Sequence, residues 1–146
     1  MNGAHLHLLV NHVSLFALTF GVIALVASMK RRSPDLRVFA VGLFVLVGAF
    51  ALIADETGEK AEAVVKALGD EFKPLIHTHE EAAEWAVRSG ILTACLAIAM
   101  EWAARKRERW LRPIQWALLA VALHGLTVFS VTAWHGGKIR HSEIRE

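Results

Sequence analysis

The chain has 146 residues, of which 55% are hydrophobic and 21% charged, and its mean hydropathy is +0.41. Soluble domains average about 45–50% apolar residues and disordered chains far fewer, so this composition argues against both classes. The single cysteine, Cys95, excludes an intrachain disulfide and a cysteine-rich zinc site.

Four apolar segments follow one another along the chain, at about residues 5–29, 37–54, 85–102 and 113–134. As an α-helix, each is long enough to cross a hydrocarbon core of about 30 Å at about 1.5 Å per residue. We therefore expect one transmembrane domain covering residues 1–146, an all-α integral membrane four-helix bundle.

The charges between these segments predict an orientation. Four basic residues lie in the first connection (30–37) and five in the third (101–112). The second connection (55–84) holds nine acidic residues and three lysines. Because Lys and Arg near span ends stay on the cytoplasmic side, we expect a multi-pass protein of the bacterial inner membrane with both termini on the periplasmic side. Topology explains the basic connections, so we expect no nucleic-acid partner.

The outer connection also shows a helical pattern. Apolar residues recur there at helical spacing: Ala61, Val64, Val65, Leu68 and Phe72. This pattern predicts a short amphipathic helix between spans two and three, which Pro74 would end. Thr78 and Glu81 have the spacing of a capping box at the start of the third span. We see no internal repeat in the sequence.

Eight histidines are present, and none lies in a basic connection. His12 and His124 fall inside the first and fourth spans, and ionisable side chains within a bilayer usually face the bundle interior and mark a site. Their depths differ by about 5 Å at helical rise, which helix tilt accommodates. We therefore expect them to be the axial ligands of one haem between these two spans.

Further candidate ligands lie near the outer ends of the spans: His7, His79 and His135. They could hold a second haem, or a zinc, copper or iron ion without haem. Arg88, inside the third span, could snorkel outward, pair with Glu84, or bind a haem propionate.

Both ends of the chain carry motif-like runs. The first span opens with His7-Leu8-Leu9-Val10-Asn11-His12, and the fourth closes with Thr132-Ala133-Trp134-His135-Gly136-Gly137. These runs resemble a bacterial family of small four-span membrane proteins with a His-Pro-x-x-Val-His-Phe-Pro-like opening and a Thr-Gly-Trp-x-Gly-Gly closing. The prolines and the first glycine of those signatures are missing here. The family histidine that opens the third span would be His79.

The family resemblance implies the four-span fold and its topology. A looser resemblance to b-type cytochromes, which also place histidines on several spans of a helical bundle, implies haem b.

Three functions are open at this point. The first is a b-type haem protein, with one or two haems, that passes electrons between quinol and an outer acceptor. The second is a non-haem metal-binding membrane protein. The third is an anchor or accessory subunit of a larger respiratory or photosynthetic complex, or a homo-oligomer. No nucleophile–base pair or phosphate-binding loop is visible in the sequence, so hydrolase and kinase activities have no support.

Overall fold

A computed structural model describes residues 3–145 and is built from long α-helices. They are α1 (Gly3–Arg31), α2 (Pro34–Lys66), α3 (Lys73–Lys106) and α4 (Leu111–Arg140). Short 3-10 turns lie at Asp70–Phe72, Glu108–Trp110 and Ser142–Ile144. Each of the four helices is long and apolar enough to span a membrane, which confirms the predicted all-α class and the four candidate spans.

The helices form a ring in chain order. α1 packs on α2 and α4, and α3 packs on the same two helices, so α1 and α3 lie diagonally opposite each other. Short connections between antiparallel neighbours give this up-and-down topology. Any group held on the bundle axis therefore has α1 and α3 on opposite sides.

The half of the bundle nearer the basic connections has a closed apolar core. Its largest fully buried side chains are Leu18, Leu25, Phe44, Met100 and Leu118. Gly21 makes room for the largest of them, since a Cβ there would lie 2.7 Å from Cε1 of Phe44.

An ion-pair cluster joins two helices at the end of the bundle with the basic connections. Arg37 of α2 donates from Nε to Glu101 of α3 at 2.9 Å, and Arg105 donates to the other oxygen of Glu101 at 2.7 Å. The Arg37 and Glu101 side chains are only 17% and 16% exposed. Shielding from water makes this pair stronger than a pair at a free surface.

The prediction of a separate helix in the outer connection is wrong, because its residues belong to the end of α2 and to the reversal after it. α2 continues without a break to Lys66, so Ala61, Val64 and Val65 belong to its last turns, while Leu68 and Phe72 lie in the reversal that follows. Nothing between span two and these residues stops a helix, because Thr57 and Gly58 only weaken it. At about 50 Å, α2 and α3 are both longer than a hydrocarbon core requires.

The predicted start of the third span is also wrong. Pro74 lies in the first turn of α3, where a missing N–H is tolerated, and so begins a helix instead of ending one. Thr78 lies one turn inside α3 and donates from Oγ1 to the Pro74 carbonyl oxygen at 3.0 Å, so it does not cap the helix.

The two helical hairpins share one packing register, which the sequence did not reveal as a repeat. Four buried positions of α1 have the same spacing as four of α3. In α1 they are Ser14, Leu18, Gly21 and Leu25, which correspond in that order to Ala86, Gly90, Thr93 and Ala97 of α3. In the same way, Ala40, Phe44, Val47 and Ala51 of α2 correspond in that order to Leu118, Ala122, Gly125 and Phe129 of α4. The residue types differ at all eight pairs, so the match is visible only as a pattern of burial.

Candidate functional site

Two histidines meet at the outer end of the bundle, the end opposite the basic connections. His7 of α1 and His79 of α3 each lie two turns before the matched buried positions of their helices. Their ring centres are 6.3 Å apart, and the ring planes are nearly perpendicular, at 82°. Because α1 and α3 are diagonal partners, this pair lies across the bundle axis.

Each ring is oriented by a neighbouring helix. His7 Nδ1 lies 3.0 Å from the Ala54 carbonyl oxygen of α2, and His79 Nδ1 lies 3.0 Å from the Thr132 carbonyl oxygen of α4. A carbonyl oxygen only accepts hydrogen bonds, so Nδ1 carries the proton in both rings. In the neutral imidazole this leaves the lone pair on Nε2, which is the form that binds a metal.

A threonine supports the first of these contacts. Thr57 Oγ1 donates to the Ile53 carbonyl oxygen at 2.8 Å, and its lone pairs face His7 Nδ1 at 3.3 Å. On the other side, Thr132 Oγ1 reaches the Ala82 carbonyl oxygen of α3 at 3.0 Å and so ties α4 to the helix that carries His79. Hydrogen bonds of this kind around a metal-binding imidazole hold its tautomer and its direction.

Two glycines provide the space for the rings. A Cβ on Gly58 would lie 3.5 Å from Cε1 of His7, and a Cβ on Gly136 would lie 3.0 Å from Cε1 of His79. The second distance is shorter than ordinary van der Waals contact, so this ring packs directly on the α4 backbone. Gly136 belongs to the Trp-x-Gly-Gly run noted in the sequence, and the close approach of His79 is the physical reason for a glycine there.

The number of ligands limits which metal centre fits. Among residues 3–145, no group of three or more His, Cys, Asp or Glu side chains is placed to hold a metal ion. A structural zinc site needs four protein ligands and a catalytic one about three. Haem iron takes four nitrogens from its own macrocycle and needs only two axial ligands. Two imidazoles that bind one metal from opposite sides, each with a nitrogen about 2 Å from it, have ring centres about 6 Å apart. The ring centres of His7 and His79 are 6.3 Å apart.

The third outer candidate, His135, is near enough to His79 to interact with it electrostatically, but its ring packs elsewhere. Its half-exposed ring packs against Trp134, with ring centres 5.6 Å apart. It borders a surface groove between α3 and α4, which Glu81 and Trp85 also line. His135 therefore borders the site from the surface groove.

Arg88 is accounted for without a ligand. Its guanidinium donates to Glu84 at 3.0 Å and lies over the Trp85 ring at 5.1 Å from the ring centre. Both charged side chains are exposed. Of the roles predicted for Arg88, the pair with Glu84 is the one that the structure shows.

His12 and His124 are placed differently from the expectation. Both side chains are exposed, and His12 Nδ1 lies 3.3 Å from the carbonyl oxygen of Leu8 in its own helix. At about 100° per residue, His12 is opposite the buried face of α1. The expectation that both face the bundle interior is therefore wrong, because a spacing of seven residues shows that His5 and His12 share a face but not which face. A side chain on the outer face of α1 cannot share an iron held between α1 and α4.

No protein-family model, curated protein or solved structure matches the chain. The function is therefore inferred from the site geometry.

Proposed function

We propose that this chain is an integral membrane protein that binds b-type haem through His7 and His79, at the outer end of its four-helix bundle, and passes electrons. The observation that carries the proposal is the pair of neighbouring imidazoles, with ring centres 6.3 Å apart and each Nδ1 held by a carbonyl oxygen of a neighbouring helix. When bound, the haem would supply a one-electron redox couple at this point. Because His7 and His79 come from diagonally opposite helices, a group held by both would lie among the four helices.

Side chains around the histidine pair are smaller than those in the rest of the bundle interior, which supports placing a bulky planar group there. Small residues surround the two rings at this level: Ala54, Thr57, Gly58, Ala82 and Gly136. Towards the basic connections, Leu18, Phe44 and Met100 are fully buried and fill the interior. The small side chains at this end of the bundle are what support placing the cofactor there.

We further propose that the site faces the periplasm. The basic connections lie at the opposite end of the bundle, and the positive-inside rule assigns that end to the cytoplasm of a bacterial inner-membrane protein. A quinol dissolved in the bilayer would be the electron donor and a periplasmic molecule the acceptor. The lipid bilayer surrounds the protein. A larger respiratory or photosynthetic complex, or a second copy of the chain, would be its protein partner in electron transfer.

An absorption spectrum tests the haem. Protein purified from haem-replete cells should show a Soret band and, after dithionite reduction, sharp α bands. His7→Leu and His79→Leu should each remove most of this haem, because an apolar side chain takes away one of the two imidazoles that would hold its iron. The matched controls are His12→Leu and His124→Leu, whose side chains lie outside the bundle and should leave the spectrum intact.

The outcomes separate the alternatives. Loss of haem in His124→Leu but not in His79→Leu would contradict the proposed ligands. A colourless protein from haem-replete cells would refute the haem itself. Stoichiometric copper or iron in that colourless protein, lost in His79→Leu, would then favour a non-haem centre on the same imidazoles.

A further inference from the structure

In the part of the chain that the structure describes, residues 3–145, three of the four spans leave no histidine, hydroxyl or charged side chain unpaired at the lipid-facing surface. In α1, His12 Nδ1 lies 3.3 Å from the Leu8 carbonyl oxygen, and Thr19 donates to the Leu15 carbonyl oxygen at 2.8 Å. In α2 the exposed residues between 37 and 54 are all apolar. In α3 the exposed arginine of the span is held by a glutamate one turn away. These three surfaces need no partner from outside the chain.

The fourth span, in α4, is different. His124, Thr127 and Ser130 are exposed there, and none of the three side chains makes a hydrogen bond or an ion pair with any residue from 3 to 145. His124 lies near the middle of the apolar segment 113–134, about 15 Å along the helix from either end. An imidazole is thus left at mid-bilayer depth without a partner.

Polar groups at this depth call for a protein partner. Hydrocarbon offers no hydrogen bonds, and ionisable side chains within a bilayer nearly always face protein or a cavity and pair with another polar group. At about 100° per residue, Thr127 points directly away from the buried Leu118, so the bundle itself does not supply that partner. Ala120 and Ala117, both exposed, lie one and two turns before His124 and let another helix approach closely.

Two properties of this face favour a second copy of the same chain. The basic connections give every copy one orientation, so His124 of each copy lies at the same depth in the bilayer. A neutral imidazole has one donor and one acceptor nitrogen, and a hydroxyl also donates and accepts. His124 and Thr127 are therefore complementary to themselves across a two-fold axis. A different protein would need matching polar groups at both depths.

We propose that two copies of the chain associate in the membrane through the outer faces of their α4 helices, where His124 pairs with His124 and Thr127 with Thr127. The two-fold axis is parallel to the bilayer normal, and the two helices approach each other along Ala117 and Ala120. Gly136, which packs on His79, lies on the opposite face of α4 from Thr127, so the dimer leaves the histidine site untouched. The dimer requires that the helices span a membrane but does not require haem.

Cysteine cross-linking tests which face is covered. Thr127→Cys and His12→Cys are made separately in the full chain carrying Cys95→Ser, purified and returned to lipid vesicles. Both positions lie about 8 Å inward of the histidine pair, so His12→Cys is a control at equal depth on the lipid-facing side of α1. With copper phenanthroline as the oxidant, we expect Thr127→Cys to form a disulfide-linked dimer at least about tenfold faster than His12→Cys.

The other cross-linking results each overturn the dimer. Equal rates for the two variants would mean random collision, and no product from Thr127→Cys would mean that lipid alone covers this face. In native membranes, a cross-linked product of Thr127→Cys whose mass is not twice that of the chain would mean that a different protein occupies it.

Energy transfer between donor- and acceptor-labelled copies in vesicles measures the strength of the association. The label is placed at Lys73→Cys in the Cys95→Ser background. His124→Leu should raise the dissociation constant of the dimer about 3- to 30-fold, because a hydrogen bond between membrane helices is lost, whereas His12→Leu should change it less than about twofold. An unchanged dissociation constant in His124→Leu would refute the pairing of the imidazoles.

The dimer and the haem fail independently of each other. His79→Leu should lose haem and keep the dimer, whereas His124→Leu should weaken the dimer and keep the absorption spectrum. A haem-free protein that dimerises would refute the haem and support the α4 interface. A haem-loaded protein that stays monomeric at high density in vesicles would refute the interface alone.

Discussion

Gly136 offers the sharpest test of the histidine site, because one methyl group changes one contact. In Gly136→Ala the new Cβ would lie 3.0 Å from Cε1 and 3.3 Å from Nδ1 of His79. The ring must move by a few tenths of an ångström, and its 3.0 Å hydrogen bond to the Thr132 carbonyl oxygen must lengthen or bend. Overpacking of this kind costs about 1–3 kcal/mol.

The gain in helix propensity opposes this cost, so a matched glycine is needed as the reference. Gly→Ala in a helix interior is worth about 1 kcal/mol. A Cβ on Gly42 of α2 would meet no atom within 4 Å, so Gly42→Ala should show that gain alone. The difference between the two variants isolates the contact with His79, about 1–3 kcal/mol, or on the order of 5 °C in melting temperature for a chain of this size.

The assay is thermal unfolding in detergent combined with haem content. We expect Gly42→Ala to melt higher than the unsubstituted protein, Gly136→Ala to melt lower than Gly42→Ala, and only Gly136→Ala to lose haem. Gly58→Ala, with its Cβ 3.5 Å from His7 Cε1, should fall between them because that distance is an ordinary contact. Equal behaviour of Gly136→Ala and Gly42→Ala would refute the packing of His79 on the α4 backbone.

Two predictions concern the end of the bundle with the basic connections. Glu101→Gln should lower stability by about 1–3 kcal/mol, because it leaves the shielded Arg37 guanidinium without its carboxylate, whereas Arg105→Leu should cost less than about 1 kcal/mol since that side chain is 67% exposed. Denaturation curves of the two variants check the order, and an equal loss would contradict it. Phe44→Ala should cost about 3–5 kcal/mol as a large cavity, and adding Gly21→Ala should recover part of the loss by filling that space. A double variant less stable than Phe44→Ala alone would show that Gly21 and Phe44 do not share the contact.

In the outer connection, the apolar spacing predicts helical structure but not where a helix begins or ends. The apolar spacing of Val64, Val65 and Leu68 correctly indicates helix near residues 64 and 65, but it cannot show whether that helix is separate or continues α2. A boundary needs a residue that stops the helix, and Pro74 can equally well begin the next one. The continuity of α2 is visible only in the structure, where the helix runs unbroken to Lys66 although its last buried residue is Thr57.

At the site too, the sequence identifies candidate histidines but does not show which of them come together. His7 and His79 were among the candidates because each lies near the outer end of a span, but so was His135, which points to a surface groove. The acceptors that orient the two rings are backbone carbonyl oxygens of Ala54 and Thr132, and no side-chain pattern marks a carbonyl oxygen. A shared His-x-His at the start of α1 and α3, at residues 5–7 and 77–79, was the one signal that could have paired them.

The helical class, the four apolar segments and the basic connections can be read from the amino-acid order alone, because hydrocarbon thickness and charge act on each segment separately. Which face of each helix is inside depends on how the helices pack together. In a helix that is apolar on all sides, the period of its apolar residues does not mark the buried face, and this is why the sequence analysis expects His12 inside the bundle. The buried face is set by small residues such as Gly21 and Gly136 that let a neighbouring side chain approach the backbone, and that choice exists only once the neighbour is in place.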